Sequence, residues 1–480
     1  MAGIGFELKK AFQKKGLIAK LKAYGYSGIV CTGPTILGIM MLLGIRIIGE
    51  KAGASHQDLR LLNVMVTYTL IASLLINNLF AMITTRYTAD MIYMNKLSKI
   101  MPSFIGSINL ELVIGLLLYG AFLLKSGISG VNMLLCFLLF GELIIVWTEI
   151  TYLTAIKNYR GILVAFFTSV AATFIVAVIL MTMLEKEMFV SGLLIAVCCG
   201  YAIMSVWYYV LLTDFFPKGE GSSVSFLEWF DKYPTLALSG IFTEFGLFGH
   251  IIIMWFSTSH KIVQGLFYET PVYDISALVA FLSILITTIN FVTSIEVEFY
   301  PTYKNFISLL NDGGSLVDIK LAKVMMQNTL IRELTYTFIK QVFATMIFII
   351  MGTMLLPTLP LGFTEDMLGI YRILCCGYAY YAMGNCLMLI LLYFSDNKSA
   401  MISTGIFCLV SNAASLLCSM MGIKWYGIGF LAGSFLFTIA SLLLLRRFLN
   451  NALENLLVSQ PIRSKEVKGV FSRLLRKTGV

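Results

Sequence analysis

Twelve apolar stretches, each about 20 residues or longer, divide this 480-residue chain, and they limit what it can fold into more than any motif does. A stretch of that length crosses about 30 Å of hydrocarbon as a helix, the one open-ended conformation that satisfies all of its backbone polar groups in lipid. The stretches are 24–48, 61–85, 103–124, 131–156, 161–184, 189–213, 234–256, 273–297, 334–356, 367–394, 400–422 and 425–447. Six precede and six follow Asp214–Lys232 (DFFPKGEGSSVSFLEWFDK), a charged segment with Pro217 and three serines that reads as a connector between two halves. The expectation is an all-α integral membrane protein of about twelve transmembrane helices in two six-helix bundles, 24–213 and 234–448, with 214–233 as a cytoplasmic linker. Composition agrees: 58% of residues are hydrophobic, 13% are charged and mean hydropathy is +0.86, whereas about a quarter of a soluble domain is charged.

Charge sets the orientation. Twenty-seven of the 35 lysines and arginines fall on one set of alternating connections, counting both termini, and seven on the other. By the positive-inside rule both termini are cytoplasmic, and the net charge of +9 needs no nucleic-acid partner. Residues 1–23 carry six lysines among Ile4, Phe6, Leu8 and Phe12, which suits a helix lying on anionic lipid head groups. They do not read as a secretory signal, because the following apolar run is too long and lacks an A-x-A site. Segment 298–333, with its Gly313-Gly314 turn, is expected as an amphipathic cytoplasmic helix joining two spans. The basic tail, 449–480, is expected as another surface helix. The nine cysteines lie inside apolar segments without C-x-x-C spacing and read as small buried hydrophobes, not as metal ligands or disulfides.

Ionisable residues inside spans are the candidates for chemistry, since each costs about 2.5–3.5 kcal/mol on a lipid-facing helix and therefore faces the bundle interior. They are Glu111, Glu142, Glu149, Glu244, His250 and Glu296; the alternative for Glu149 and Glu296 is snorkelling to a membrane surface, and for Glu142 and Glu111 a carboxyl that is protonated or paired with another helix. Glu142 and Glu149, seven apart, share one helix face two turns apart. Glu244 and His250, six apart, need not share one. Asn77 and Asn78 suit interhelical hydrogen bonds. Pro34 beside Gly33 breaks the first span, as either a structural kink or a mark of a transport path. Carboxylates outnumber cations within the spans, which suits a neutral or cationic solute or a proton. GEGSS lacks the Lys-Ser/Thr of a phosphate-cradling loop, and there is no H-E-x-x-H or G-x-S-x-G. No enzyme activity, cofactor or metal is expected.

Several stretches together resemble the PelG family of exopolysaccharide export proteins, within the multidrug/oligosaccharidyl-lipid/polysaccharide flippase superfamily. They are MAGIGFELKK followed by AYGYSG and TGP, TRYTAD (85–90), KNYRGI (157–162), FPKGEGSSVSFLEWFDKYP (216–234), EVEFYPTY (296–303) and LLYFSDNKSA (391–400). They run in order along nearly the whole chain. Relatives carry an Asp-Lys pair shortly before the position of Trp255, where this chain has His250-Ile251, so no role of that pair transfers. The resemblance implies two six-helix bundles about a pseudo-two-fold axis enclosing a cavity, in a bacterial inner membrane. It also implies a cytoplasmic glycosyltransferase like PelF, membrane partners like PelD and PelE, and a polymer rich in galactosamine and its N-acetyl form. The expected function is polysaccharide export with Glu142 foremost in the path. The alternatives are an ion-coupled flippase of lipid-linked oligosaccharide, an exporter of small cations, and a scaffold that anchors the glycosyltransferase.

Overall fold

The structure, a computed structural model, describes residues 38–154, 159–358, 362–458 and 469–477. Among them, eleven helices are long and apolar enough to cross a membrane, and they coincide with eleven of the expected spans. The remaining span, 24–48, is described only from residue 38, where helix α1 runs over 38–52; Gly33 and Pro34 lie outside the described residues. The protein is an all-α, multi-pass membrane protein.

The chain forms two compact units. The first holds the described residues of 33–248, 260–270 and 467–480, and the second those of 249–259 and 271–466. The first unit contains α1, α2 (His56–Tyr93), α3 (Ile100–Lys125), α4 (Gly130–Leu153), α5 (Tyr159–Met183), α6 (Phe189–Phe215), the short α7 (Glu228–Lys232) and most of α8 (Pro234–Met254). A capping box starts α2: the Ser55 hydroxyl accepts from Asp58 N and the Asp58 carboxylate accepts from Ser55 N. At 38 residues α2 is about 57 Å long, nearly twice the hydrocarbon thickness, so part of it must protrude.

The protruding end organises the connector. Trp229 Nε1 donates to Asp90 at 2.8 Å, the Tyr87 and Ser225 hydroxyls are 2.9 Å apart, and Phe226 is fully buried against Phe80 and Tyr87. These contacts tie the connector expected between the bundles to the first compact unit, which extends into α8 as far as Phe248.

A β-hairpin follows α8 where only a loop was expected. Strands β1 (Lys261–Gln264) and β2 (Phe267–Glu269) pair antiparallel and belong to the first unit. Tyr68 of α2 holds the hairpin twice, donating to Tyr268 O at 3.0 Å and accepting from Tyr268 N at 3.1 Å. Arg60 Nε donates to Glu269 at 2.7 Å. Gly265 sits at φ +54°, and a Cβ there would collide with Ser126 O.

In the second unit, one expected span is interrupted. It runs as α9 (Pro271–Phe281), a 3₁₀ turn, α10 (Leu285–Ser294), a π-turn over Ile295–Phe299 and α11 (Tyr300–Asn311). A 40-residue helix, α12 (Leu316–Leu355), follows the Gly313-Gly314 turn. The separate amphipathic helix expected within 298–333 is therefore corrected: both of its parts are continuous with spans. No glycine or proline occurs from Leu316 to Met351, so nothing stops the i→i−4 ladder before the apolar segment begins.

Helices α13 (Glu365–Tyr393), α14 (Asn397–Met421) and α15 (Ile428–Asn450) make the core of this unit. Glycines 429 and 433 bring α15 onto the backbone of α14 at Ser415 and Ser411. Beyond the short α16 (Ala452–Val458), α17 (Val470–Lys477) returns to the first unit. Asp231 accepts from Ser472 N at 2.7 Å and from Ser472 Oγ at 2.8 Å, and Phe471 packs on Phe230. The tail helix expected on a lipid surface thus spends part of its apolar side on the connector.

The hairpin latch generates a prediction. Arg60→Ala leaves Glu269, whose side chain is 12% exposed, without its cation. It should lower the stability of the purified protein by about 1–3 kcal/mol, with Arg60→Lys recovering part of the loss. Thermal unfolding monitored by tryptophan fluorescence measures this, and an unchanged midpoint would show the ion pair to be unimportant.

Candidate transport site

Threonine, serine and asparagine recur along one face of α2 at Thr69, Ser73, Asn77, Thr84 and Thr88, all buried. Positions three and four apart align on a helix, so the stripe meets α3 and α4 as a polar seam. The Thr69 and Tyr119 hydroxyls are 2.6 Å apart, and Trp147 Nε1 donates to Ser73 at 3.1 Å. Glu111, 1% exposed, is at the centre. It accepts from Asn77 Nδ2 at 2.9 Å and Ser107 Oγ at 2.7 Å, and Thr148 Oγ1, whose single proton is shared with Ile144 O at 2.8 Å, lies 3.2 Å away. Partners from three helices make Glu111 a tie that holds α2, α3 and α4 together. Asn77 is interhelical as expected, whereas the amide of Asn78 turns back to Leu74 O of its own helix at 3.0 Å.

The opposite face of α4 carries Glu142 and Glu149, and it meets α6. The two helices run parallel, since Ser191 donates to Asn132 Oδ1 at 2.7 Å and, further along both, Cys198 Sγ donates to Leu135 O at 3.7 Å. Cys198 and Tyr201 lie near Glu142, and Tyr208 lies near Glu149. Asn132–Ser191, Glu142–Tyr201 and Glu149–Tyr208 are each separated by 59 residues, so they are three rungs of one register. Glu149 is 1% exposed and neither of its oxygens has a hydrogen-bond partner among the described residues. Glu142 is half-buried, with Oε2 in the same state.

The structure thus separates carboxyls that the sequence presented as one class. Glu111 is saturated with donors; Glu142 and Glu149 meet none among the described residues. Tyr201 and Tyr208 were missed, although their seven-residue spacing repeats that of the two glutamates and could have been read from the sequence. Glu244 and His250 do not share a unit. His250 is fully buried, its Nδ1 lies 2.6 Å from the Tyr273 hydroxyl, and its ring packs on Phe430 at 4.1 Å. That is the setting of a core histidine. Among the described residues no group of three or more His, Cys, Asp or Glu could hold a metal ion.

No curated protein matches the chain. Solved structures of MATE transporters share its fold. A crystal structure of a MATE variant aligns with TM-score 0.61 at 13% identity, covering 90% of this chain and 97% of that one. An inward-facing MATE transporter of the MOP superfamily aligns with TM-score 0.56 at 13% identity, covering 89% and 99%. A MOP superfamily transporter from Pyrococcus furiosus, reported with reversed polarity of its binding pocket, aligns with TM-score 0.57 at 12% identity, covering 89% and 96%. The family model described as "PelG: Putative exopolysaccharide Exporter (EPS-E)" matches residues 1–456, and this chain, with its transporter fold, belongs to the PelG family.

Proposed function

We propose that the protein moves a Pel-like, galactosamine-type exopolysaccharide across the bacterial cytoplasmic membrane, taking the polymer from a cytoplasmic glycosyltransferase of the PelF kind. The observation that carries this reading beyond family membership is Glu142: a half-buried carboxyl in the middle of a span, with an oxygen that no described donor engages. Burying such an acceptor is costly unless something supplies a donor. Sugar hydroxyls and protonated amines are donors of the right kind, and a carboxylate favours a neutral or cationic polymer over an anionic one. Glu149 lies about 10 Å further along the same face. Both termini are cytoplasmic in this reading, and membrane partners like PelD and PelE complete the assembly.

The MATE-like fold supports a second reading, an ion-coupled flippase that turns over a lipid-linked oligosaccharide. A scaffold that only anchors the glycosyltransferase would leave the unpartnered carboxyls without a use.

Translocation is directly measurable. Inverted membrane vesicles containing the glycosyltransferase and supplied with nucleotide sugar should gain polymer protected from an added hydrolase. Without this protein the polymer should stay digestible. Equal protection in both would reject a transport role, and protection of lipid-linked oligosaccharide alone would favour the flippase.

The tie at Glu111 predicts a different phenotype. Glu111→Leu strands donors from Asn77 and Ser107 and should cost about 2–4 kcal/mol of stability, whereas Glu111→Gln, which keeps an acceptor, should cost less. Unfolding midpoints in detergent decide this. Export by the folded Glu111→Gln protein should stay within about twofold of the parent, the expectation for a group outside the path.

A further inference from the structure

Nothing described in the seam between α4 and α6 engages Glu149, whose two oxygens are buried without a hydrogen-bond partner. The nearby hydroxyl of Tyr208 gives its single proton to Ile162 O at 3.3 Å, and the thiol of Cys198, near Glu142, is committed to Leu135 O. An ionised carboxylate buried without a donor or a cation loses its hydration and gains nothing in return, whereas a carboxyl that holds a proton is neutral and escapes most of that cost.

The other titratable neighbours leave this balance intact. From α3, Glu111 is turned to the far side of α4, where it binds Thr148. On α4 itself Cys136 is fully buried, and the Tyr152 and Ser103 hydroxyls are 3.1 Å apart. From α6 the titratable groups near the two glutamates are Cys198, Tyr201 and Tyr208. Among the described residues no lysine or arginine pairs with either glutamate.

We propose that the α4–α6 seam is a proton-binding site. Glu149 holds its proton between the helices beside Tyr208, and Glu142 exchanges its proton with water on the half-exposed side. One O–H bond forms on a carboxylate oxygen and one breaks in a hydronium ion, and the reverse step returns the proton to water. A metal cation is the poorer ligand, because it would need several oxygen donors and the seam supplies one carboxyl per rung. The use of this site in driving export rests on the transport reading above; its existence does not.

Infrared difference spectroscopy on the full chain reconstituted in liposomes tests the site without needing the polymer. A C=O band of a protonated carboxyl should be present at neutral pH, be lost in Glu149→Gln and be shifted in Tyr208→Phe. A band unchanged in both variants, or the loss of an ionised-carboxylate band instead, would overturn the proposal. If Glu149→Gln does not fold, Glu149→Asp and Tyr208→Phe should each shift the band, and no shift in either is the contrary result. Loss of the band in Glu149→Gln with polymer protection in vesicles unchanged would keep the proton site and remove it from export.

Discussion

Lipid offers no hydrogen bonds, and most of what distinguishes one part of this protein from another follows from how each buried polar group finds a partner. The seam of α2, α3 and α4 answers in full: Thr69 meets Tyr119, Trp147 meets Ser73, and Glu111 takes donors from Asn77 and Ser107. Against that background Glu142 and Glu149 are conspicuous, because two turns of α4 carry carboxyls that no described donor reaches. The same fold that gives Glu111 two committed donors gives Glu149 none among the described residues.

Both units pack their helices by two devices. Polar side chains link helices across spans, as in the Glu111 tie and where Lys340 Nζ donates to Asn290 Oδ1 at 3.0 Å. Glycines admit aromatic rings or backbone: Gly115 lies against Phe140 in the first unit, and in the second Gly377 and Gly384 lie against Phe430 and Phe437 and Gly433 lies on Ser411. Small residues at helix contacts let backbones approach and gain dispersion energy where no hydrophobic effect acts between helices. His250 fits this second style, with Tyr273, Tyr378 and Phe430 around its ring. It departs from the Asp-Lys pair expected of relatives without leaving an ion uncompensated.

The spans were legible in the sequence because lipid leaves one open-ended solution for an apolar stretch. The family was legible from ordered local stretches such as FPKGEGSSVSFLEWFDKYP. What failed was whatever depends on tertiary contact. The connector looked like a linker by composition, yet Phe226 and Trp229 bury it against the end of α2. The hairpin was missed because strands of four and three residues are too short for alternation to stand out. Segment 316–333 looked separate because its polarity differs from the span, but backbone hydrogen bonding ignores polarity and α12 runs through. At the site, residue type and depth singled out the glutamates within spans without telling those with donors from those without, a difference that only the positions of Asn77 and Ser107 around Glu111 reveal.

The central claim is that the carboxyls facing α6 belong to the transport path and Glu111 does not. Polymer secretion from cells carrying Glu142→Gln together with Glu149→Gln, at matched membrane levels and with the glycosyltransferase still bound, tests it most directly. Secretion should collapse in the double variant. Undiminished secretion would make both glutamates structural and contradict the account.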